Sequence, residues 1–291
     1  MFRKIIVLGA RGMAGQAFYK YFKERDLDVL GVSRNGPDLN LNLVTEYDFL
    51  EDIFCSFKPC IVVNCVALVS LQACEDNPIL SYQVNSLLPS KLASSSRRHN
   101  FLFLHISTDH YYLLDDVPSL HSEIDPIILI NSYAKSKYLG ELYASLCDRS
   151  LIIRTNITGF RNSVHRPTFI EWMIDSLQTS ASIQLFTDFY TSTIDVSTFC
   201  CFVYSLAQIG CSGLFNIASS RSISKFKFAS LLAKEMKVDL SGASEASVQG
   251  LHPARASDLG LDCCKAEAIL GLVMPSPEEV VCSLWRQYDL L

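Results

Sequence analysis

The chain has 291 residues, of which 49% are hydrophobic, 11% aromatic and 19% charged. That balance excludes bulk disorder, and 13 Gly with 10 Pro exclude collagen-like and low-complexity classes. With 25 Lys and Arg against 30 Asp and Glu, the net charge of −5 offers no basic field to nucleic acid or anionic lipid.

The elements follow in chain order. After Phe2-Arg3-Lys4, the apolar run Ile5–Leu8 is too short for a signal-peptide core and is read as a buried first strand. Val29–Val32, Ile61–Val66, Phe101–Ser107 and Leu151–Arg154 repeat the pattern, and Gly213–Ala218 adds a late strand. Helical patterns fall between them, at Gly12–Lys23, Glu46–Phe57, Ser81–His99, Ser132–Asp148 and Ser197–Ile209. Alternation of this kind predicts an α/β fold, a doubly wound parallel sheet with right-handed crossovers. Two regions break the alternation, one around the helix Thr168–Thr179 and one from Ser222 onward. They are read as a smaller, discontinuous substrate lobe of about 160–193 and 221–291, beside a nucleotide-binding domain of 1–159 and about 194–220. The best membrane candidate, Ile61 to Leu71, carries Asn64 and Ser70 and falls short of the roughly 18 apolar residues that a span needs. None of the 11 cysteines forms a C-x-x-C pair, which favours reduced thiols and a cytoplasmic protein over disulfides or zinc. The histidines show no metal-ligand spacing, so no metal site is expected.

Gly9-Ala-Arg11-Gly12-Met13-Ala-Gly15 follows the first strand and opens a helix. Such a turn presents backbone amides and a helix dipole to a pyrophosphate. At the end of the second strand, Ser33-Arg34 stands where an NAD-binding chain carries an acidic residue for the ribose hydroxyls. A guanidinium there suits a 2′-phosphate, and Arg11 supplies a second cation, so NADPH is favoured with NADH as the alternative.

Tyr133 and Lys137 are four residues apart and share one helix face. An ammonium beside a phenol stabilises the phenolate, which lets Tyr133 exchange a proton near neutral pH. The buried strand Phe101–Ser107 ends in Ser107-Thr108-Asp109, placing hydroxyls at the sheet edge where a substrate carbonyl acquires negative charge.

Taken together, these motifs resemble the extended short-chain dehydrogenase/reductase superfamily, whose fold is of the Rossmann type, and within it most nearly the dTDP-4-dehydrorhamnose reductase family. The likeness extends through Val63-Asn-Cys-Val-Ala67, Cys74-Glu75, Val84-Asn85, Glu123-x-Asp125-Pro126, Tyr133-x-x-Ser-Lys137-x-x-Gly140-Glu141, Arg154-Thr155 and Arg255-x-Ser-Asp258. The resemblance implies NAD(P)H-dependent reduction of a 4-keto group on a nucleotide-activated deoxysugar. Thr108 would polarise the ketone, Tyr133 protonate the alkoxide, and Lys137 hold the ribose and tune Tyr133. Gly9, Gly12, Met13 and Gly15 match the pyrophosphate turn, Cys65, Val66 and Ala67 the nicotinamide-ribose strand end, and Asn42-Leu43 the adenine side. Ser107, Asp109 and Arg255 fall at substrate positions, with Arg161 and Arg166 as further candidates for the pyrophosphate. The expected partner is the nucleotide-sugar, with a homodimer as the common assembly of such relatives.

Two departures lie near these motifs. His110-Tyr-Tyr-Leu-Leu-Asp-Asp replaces the family's Tyr-Val-Phe-Asp-Gly, and Arg255-Ala256 replaces its Arg-Pro. His110 also stands where sugar-nucleotide 4,6-dehydratases carry a Glu, which weighs against water elimination. The alternatives are an epimerase or dehydratase that returns its hydride, and a non-catalytic cofactor-binding regulatory subunit, a role held by the related methionine adenosyltransferase regulatory subunit.

Overall fold

The computed structural model describes residues 4–113, 117–161, 163 and 167–290. The chain runs β1 (Lys4–Leu8), α1 (Met13–Lys23), β2 (Asp28–Ser33), β3 (Leu39–Asn40), α2 (Tyr47–Phe57), β4 (Ile61–Asn64), α3 (Leu71–Asp76) and α4 (Pro78–Tyr82). After a π turn at Gln83–Leu87 come α5 (Leu88–His99), β5 (Leu102–Ile106), α6 (Ser132–Ser145), β6 (Ser150–Arg154), β7 (Ile157–Thr158) and α7 (Phe169–Gln178). The rest comprises β8 (Ile183–Phe186), β9 (Tyr190–Thr191), β10 (Ile194–Asp195), α8 (Val196–Ile209), β11 (Gly213–Asn216), β12 (Ile223–Ser224), α9 (Lys225–Met236), β13 (Ala243–Ala246), β14 (Asp258–Leu259), α10 (Cys264–Leu270) and α11 (Pro277–Tyr288).

Seven strands form one sheet in the order β11-β6-β5-β4-β1-β2-β3, the expected doubly wound arrangement. The apolar runs become its centre because parallel strands covered on both faces bury every side chain. Ile5, Ile6, Val7 and Leu8 are inaccessible to solvent, and they pair with Val29–Val32 on one side and Ile61–Asn64 on the other. Leu50, Phe54, Leu88, Leu92, Phe101 and Phe103 fill the layer against the helices.

Of the elements that differ from the expectation, β4 and the helix after it do so for local reasons. β4 stops at Asn64 rather than Val66, because the Asn64 side-chain oxygen turns back to accept the Val66 N–H (3.1 Å). The helix expected over Ser81–His99 is interrupted by the π turn, in which the Leu88 N–H reaches the Gln83 carbonyl, five residues back. Pro89, with no N–H of its own, leaves the Asn85 carbonyl without its α-helical donor. Gly140 of α6 packs at that carbonyl, and a Cβ there would collide with it.

The contacts divide the chain into two units: residues up to 108 with 131–154 and 200–215, and residues 109–130 with 155–199 and from 216 onward. The grouping differs from the expected boundaries chiefly at 109–130. That segment is tied to the later chain by Asp258, whose carboxylate accepts from Ser119 N (3.0 Å), Ser119 Oγ (3.0 Å) and His121 Nε2 (3.0 Å). Asn216 adds to the tie, its Nδ2 donating to the carbonyls of His121 and Asp262 (both 2.9 Å). Tyr112 stacks on the His121 ring at 3.9 Å. The second unit carries small sheets, with β9 between β12 and β14, β7 beside β10 and β8 beside β13. Among the described residues no helix is long and apolar enough to cross a membrane.

Gly140→Ala should lower stability by about 1–3 kcal/mol, the usual range for overpacking a tight contact. A urea midpoint matching the wild type would show that α6 tolerates displacement from Asn85.

Candidate active site

The glycine turn is tied to β2 by hydrogen bonds from the Gly9 and Ala10 amides to the Val32 carbonyl (2.8 and 3.2 Å). Gly9 has φ +78°, and a Cβ on it would stand 3.1 Å from the Cys65 carbonyl group. At Gly15 a Cβ would run into the Gly9 carbonyl oxygen. Gly12 caps α1 with no side-chain hydrogen bond, so among the described residues no side chain caps the first-turn amides, and Met13 begins the helix. That is the donor set a pyrophosphate requires.

At the end of β2, the Ser33 hydroxyl is buried and has no hydrogen-bond partner among the described residues. The Arg34 side chain is exposed, and Arg11 reaches over to donate its Nε to the Asn35 carbonyl (2.9 Å). A carboxylate does follow β2, at Asp38, but it accepts the Gly31 N–H (2.7 Å) and the Tyr19 hydroxyl (3.0 Å). The Ser33 hydroxyl and the two guanidiniums thus place hydrogen-bond donors at the end of β2. Asn42 accepts the Val44 N–H through its side-chain oxygen (3.2 Å), beside the buried Leu43.

Half-buried Cys65, Val66 and Ala67 follow β4. Two asparagines that the sequence reading gave no role hold this stretch. Asn64 supports it through Val66, and Asn85 accepts the Leu68 N–H (2.8 Å) and donates back to the Leu68 carbonyl (3.0 Å). Burial pushes the Cys65 thiol up to about 12, so it stays protonated at neutral pH.

Thr108, Tyr133 and Lys137 are all buried. Asn131 caps α6 by accepting the Ala134 N–H (2.7 Å), and Glu75 accepts both the N–H and the hydroxyl of Ser132 (2.7 Å each). The helix start is therefore fixed one residue before Tyr133. One turn later the Lys137 ammonium donates to the Ile106 carbonyl (2.6 Å), two residues before Thr108. Burial brings Lys137 down to about 8, against the opposing pull of Glu141. His105, also beneath this helix, is held well below its ordinary value by burial and by the Lys137 charge, so it is neutral.

Glu141, another turn on, sits between two side chains. It accepts the Ser107 hydroxyl (2.8 Å) and a two-pronged contact from Arg154, Nη2 at 2.6 Å and Nε at 3.1 Å. The expected substrate position Ser107 thus directs its hydroxyl to Glu141. The i, i+4 spacing from Lys137 already placed Glu141 on the working face of the helix.

In the second unit, Asp109 is buried and accepts the Asn156 side-chain amide (2.7 Å). Arg255 is exposed, with its guanidinium 5.7 Å from the Phe186 ring centre. Arg161 donates its backbone N–H to Glu171 (2.8 Å), and Arg166 lies outside the described residues.

Replacing Glu141 with Gln leaves Arg154 and Ser107 arranged around a neutral partner. The expected loss is about 3–5 kcal/mol, as for a broken buried pair. A melting curve within error of the wild type would refute the role given to this carboxylate.

The sequence matches the family profile described as RmlD substrate binding domain over residues 3–289. It is 25% identical to "Probable low-salt glycan biosynthesis reductase Agl14" of Haloferax volcanii, covering 96% of each chain. It is 26% identical to methionine adenosyltransferase 2 subunit beta of Danio rerio, over 99% of this chain and 92% of that protein. The dTDP-4-dehydrorhamnose reductase of Bacillus anthracis, solved in complex with NADP, superposes with a TM-score of 0.86 over 99% of each chain at 21% identity. The chain accordingly belongs to the RmlD substrate binding domain family and has the Rossmann-type fold of the dTDP-4-dehydrorhamnose reductases.

Proposed function

We propose that the protein is an NADPH-dependent reductase of the 4-keto group of a nucleotide-activated deoxysugar, acting in the cytoplasm in sugar-nucleotide biosynthesis. The observation that carries this reading is the Lys137 ammonium bonded to the Ile106 carbonyl, with Tyr133 one turn earlier on the same helix. NADPH supplies the hydride when bound, and the residues described above fit it. The α1 amides with Gly9, Gly12, Met13 and Gly15 would hold the pyrophosphate, and Ser33, Arg34 and Arg11 the 2′-phosphate. Asn42 and Leu43 would flank the adenine, and Cys65 to Ala67 would line the ribose beside Lys137.

The residues' own chemistry is a proton delivery. As the carbonyl carbon gains a hydride, its oxygen gains a negative charge that the Thr108 hydroxyl stabilises by donating a hydrogen bond. Tyr133 then gives its phenolic proton to that oxygen, and the phenolate left behind is stabilised by the Lys137 ammonium. Simple reduction needs no second acid, in keeping with His110 at the position after Asp109. The similarity to methionine adenosyltransferase 2 subunit beta supports a second reading, a regulatory cofactor-binding subunit, in which Tyr133 has no chemical duty.

Arg34→Glu should raise the KM for NADPH by about tenfold or more, the worth of one charge-assisted contact, while leaving the NADH value nearly unchanged. Equal losses with both cofactors would remove the 2′-phosphate role.

Tyr133→Phe should abolish NADPH oxidation with a dTDP-4-keto-6-deoxyhexose while retaining NADPH binding. Turnover that persists in Tyr133→Phe would exclude the proposed proton donor, and wild-type protein that binds NADPH without turnover would favour the regulatory reading. Because the protonated ammonium is the working form, kcat/KM should fall as pH rises past about 8, where Lys137 loses its proton.

A further inference from the structure

The last rung of the β4 and β5 ladder pairs Asn64 with His105. Both side chains are buried, at a place where strands covered on both faces usually carry apolar residues. The Phe103 ring, on the same face of β5, stands 5.7 Å from the imidazole. The hydrogen bonds of this polar pair locate the ring proton. Asn64 Oδ1 accepts the Val66 N–H (3.1 Å), so its Nδ2, which can only donate, is what stands 3.2 Å from His105 Nδ1. Nδ1 therefore accepts. Burial and the nearby Lys137 charge keep the ring neutral, and its single proton is on Nε2.

Nε2 is buried and has no hydrogen-bond partner among the described residues. An unpaired buried donor is costly, and such a group calls for an explanation. Turning the Asn64 amide over would let its oxygen accept from an Nδ1–H and take the proton off Nε2. It would also set the amide NH2 against the Val66 N–H, donor facing donor. The pair thus tolerates a stranded donor and keeps the backbone after β4 in place. The far end of that stretch is held separately: Asn85 binds both backbone groups of Leu68 and donates to Ser136 Oγ of α6 (3.0 Å). Of the two ties, the near one depends on the imidazole. With an apolar side chain at position 105, Asn64 Nδ2 loses this acceptor and the amide is free to turn.

We infer that His105, held as its Nε2–H tautomer by Asn64, is a positioning residue for the cofactor: it sets the amide that shapes Cys65–Ala67. The inference rests on the reading above, in which that stretch lines the nicotinamide ribose.

The test combines nitrogen NMR of the histidine rings in the full chain with calorimetric titration of NADPH. His105→Asn identifies the His105 signals by their disappearance. Wild type should show an unprotonated Nδ1 and a protonated Nε2 at neutral pH, and Asn64→Asp, whose carboxylate accepts only, should put a proton on Nδ1. His105→Leu should weaken NADPH about tenfold or more, and His105→Asn should restore most of that loss, since its amide oxygen stands where Nδ1 stood. A protonated Nδ1 in wild type, or an unprotonated one in Asn64→Asp, overturns the lock. NADPH affinity unchanged in His105→Leu, or lost equally in both variants, overturns the positioning role. Should His105→Leu fail to fold, His105→Gln, which moves the acceptor away from Asn64, must show the same loss. Failed ketoreduction alongside the expected tautomer and affinities overturns the proposed reaction and leaves the positioning role standing. Wild-type protein that binds no NADPH overturns the cofactor reading and this role with it.

Discussion

The buried Glu141 carboxylate is the fixed point of the first unit. It gathers the end of β5 through Ser107 and the end of β6 through Arg154, while standing one turn beyond Lys137 on α6. A helix packed on a sheet by apolar contacts alone can slide or rotate by fractions of a turn at small cost, because dispersion is not directional. A two-pronged ionic contact with a hydroxyl on the same carboxylate has no such freedom. The positions of Lys137 against Ile106 and of Tyr133 one turn earlier follow from that anchor. Taking the pair out of water is expensive, so its value lies in geometry more than in net stability.

Polar side chains do similar work elsewhere, each replacing a missing stretch of regular hydrogen bonding. Asn64 and Asn85 hold the irregular backbone after β4, and Asn216 holds two carbonyls in the second unit. Amides suit these places because one side chain both donates and accepts, and can satisfy a backbone N–H and C=O together. The result is irregular chain that is nonetheless defined, which a site at strand ends requires.

Much of this was legible in the residues. The apolar runs named the central strands because a strand covered on both faces has no other composition, and glycine spacing located the tight turn before α1 because Gly9 and Gly15 have no room for a side chain. The Tyr133 and Lys137 pair was visible through helical periodicity. What escaped had short or non-local causes. β3 is two residues long, and α3 is too short to show a period. The π turn leaves no mark on an amphipathic pattern that reads as one helix from Ser81 to His99. His105 looks like one more interior residue of an apolar strand, since its partner Asn64 comes from another strand and only folding pairs them.

The π turn also bears on how this chain can vary in length. A wide turn holds one more residue than a regular helix would. Deleting that one residue would restore ordinary winding with the following helix in nearly the same phase, whereas deleting one from the regular turn of α4 would rotate everything after it by roughly 100°, since an α-helix has about 3.6 residues per turn. Leu88, Leu92 and Ala93, now against the sheet, would face elsewhere, and Asn85 would lose its reach to Leu68. Insertions and deletions should therefore be absent from the regular turns beside it while exposed connections accept them, an indel pattern imposed by helical phase and not by chemistry at the site.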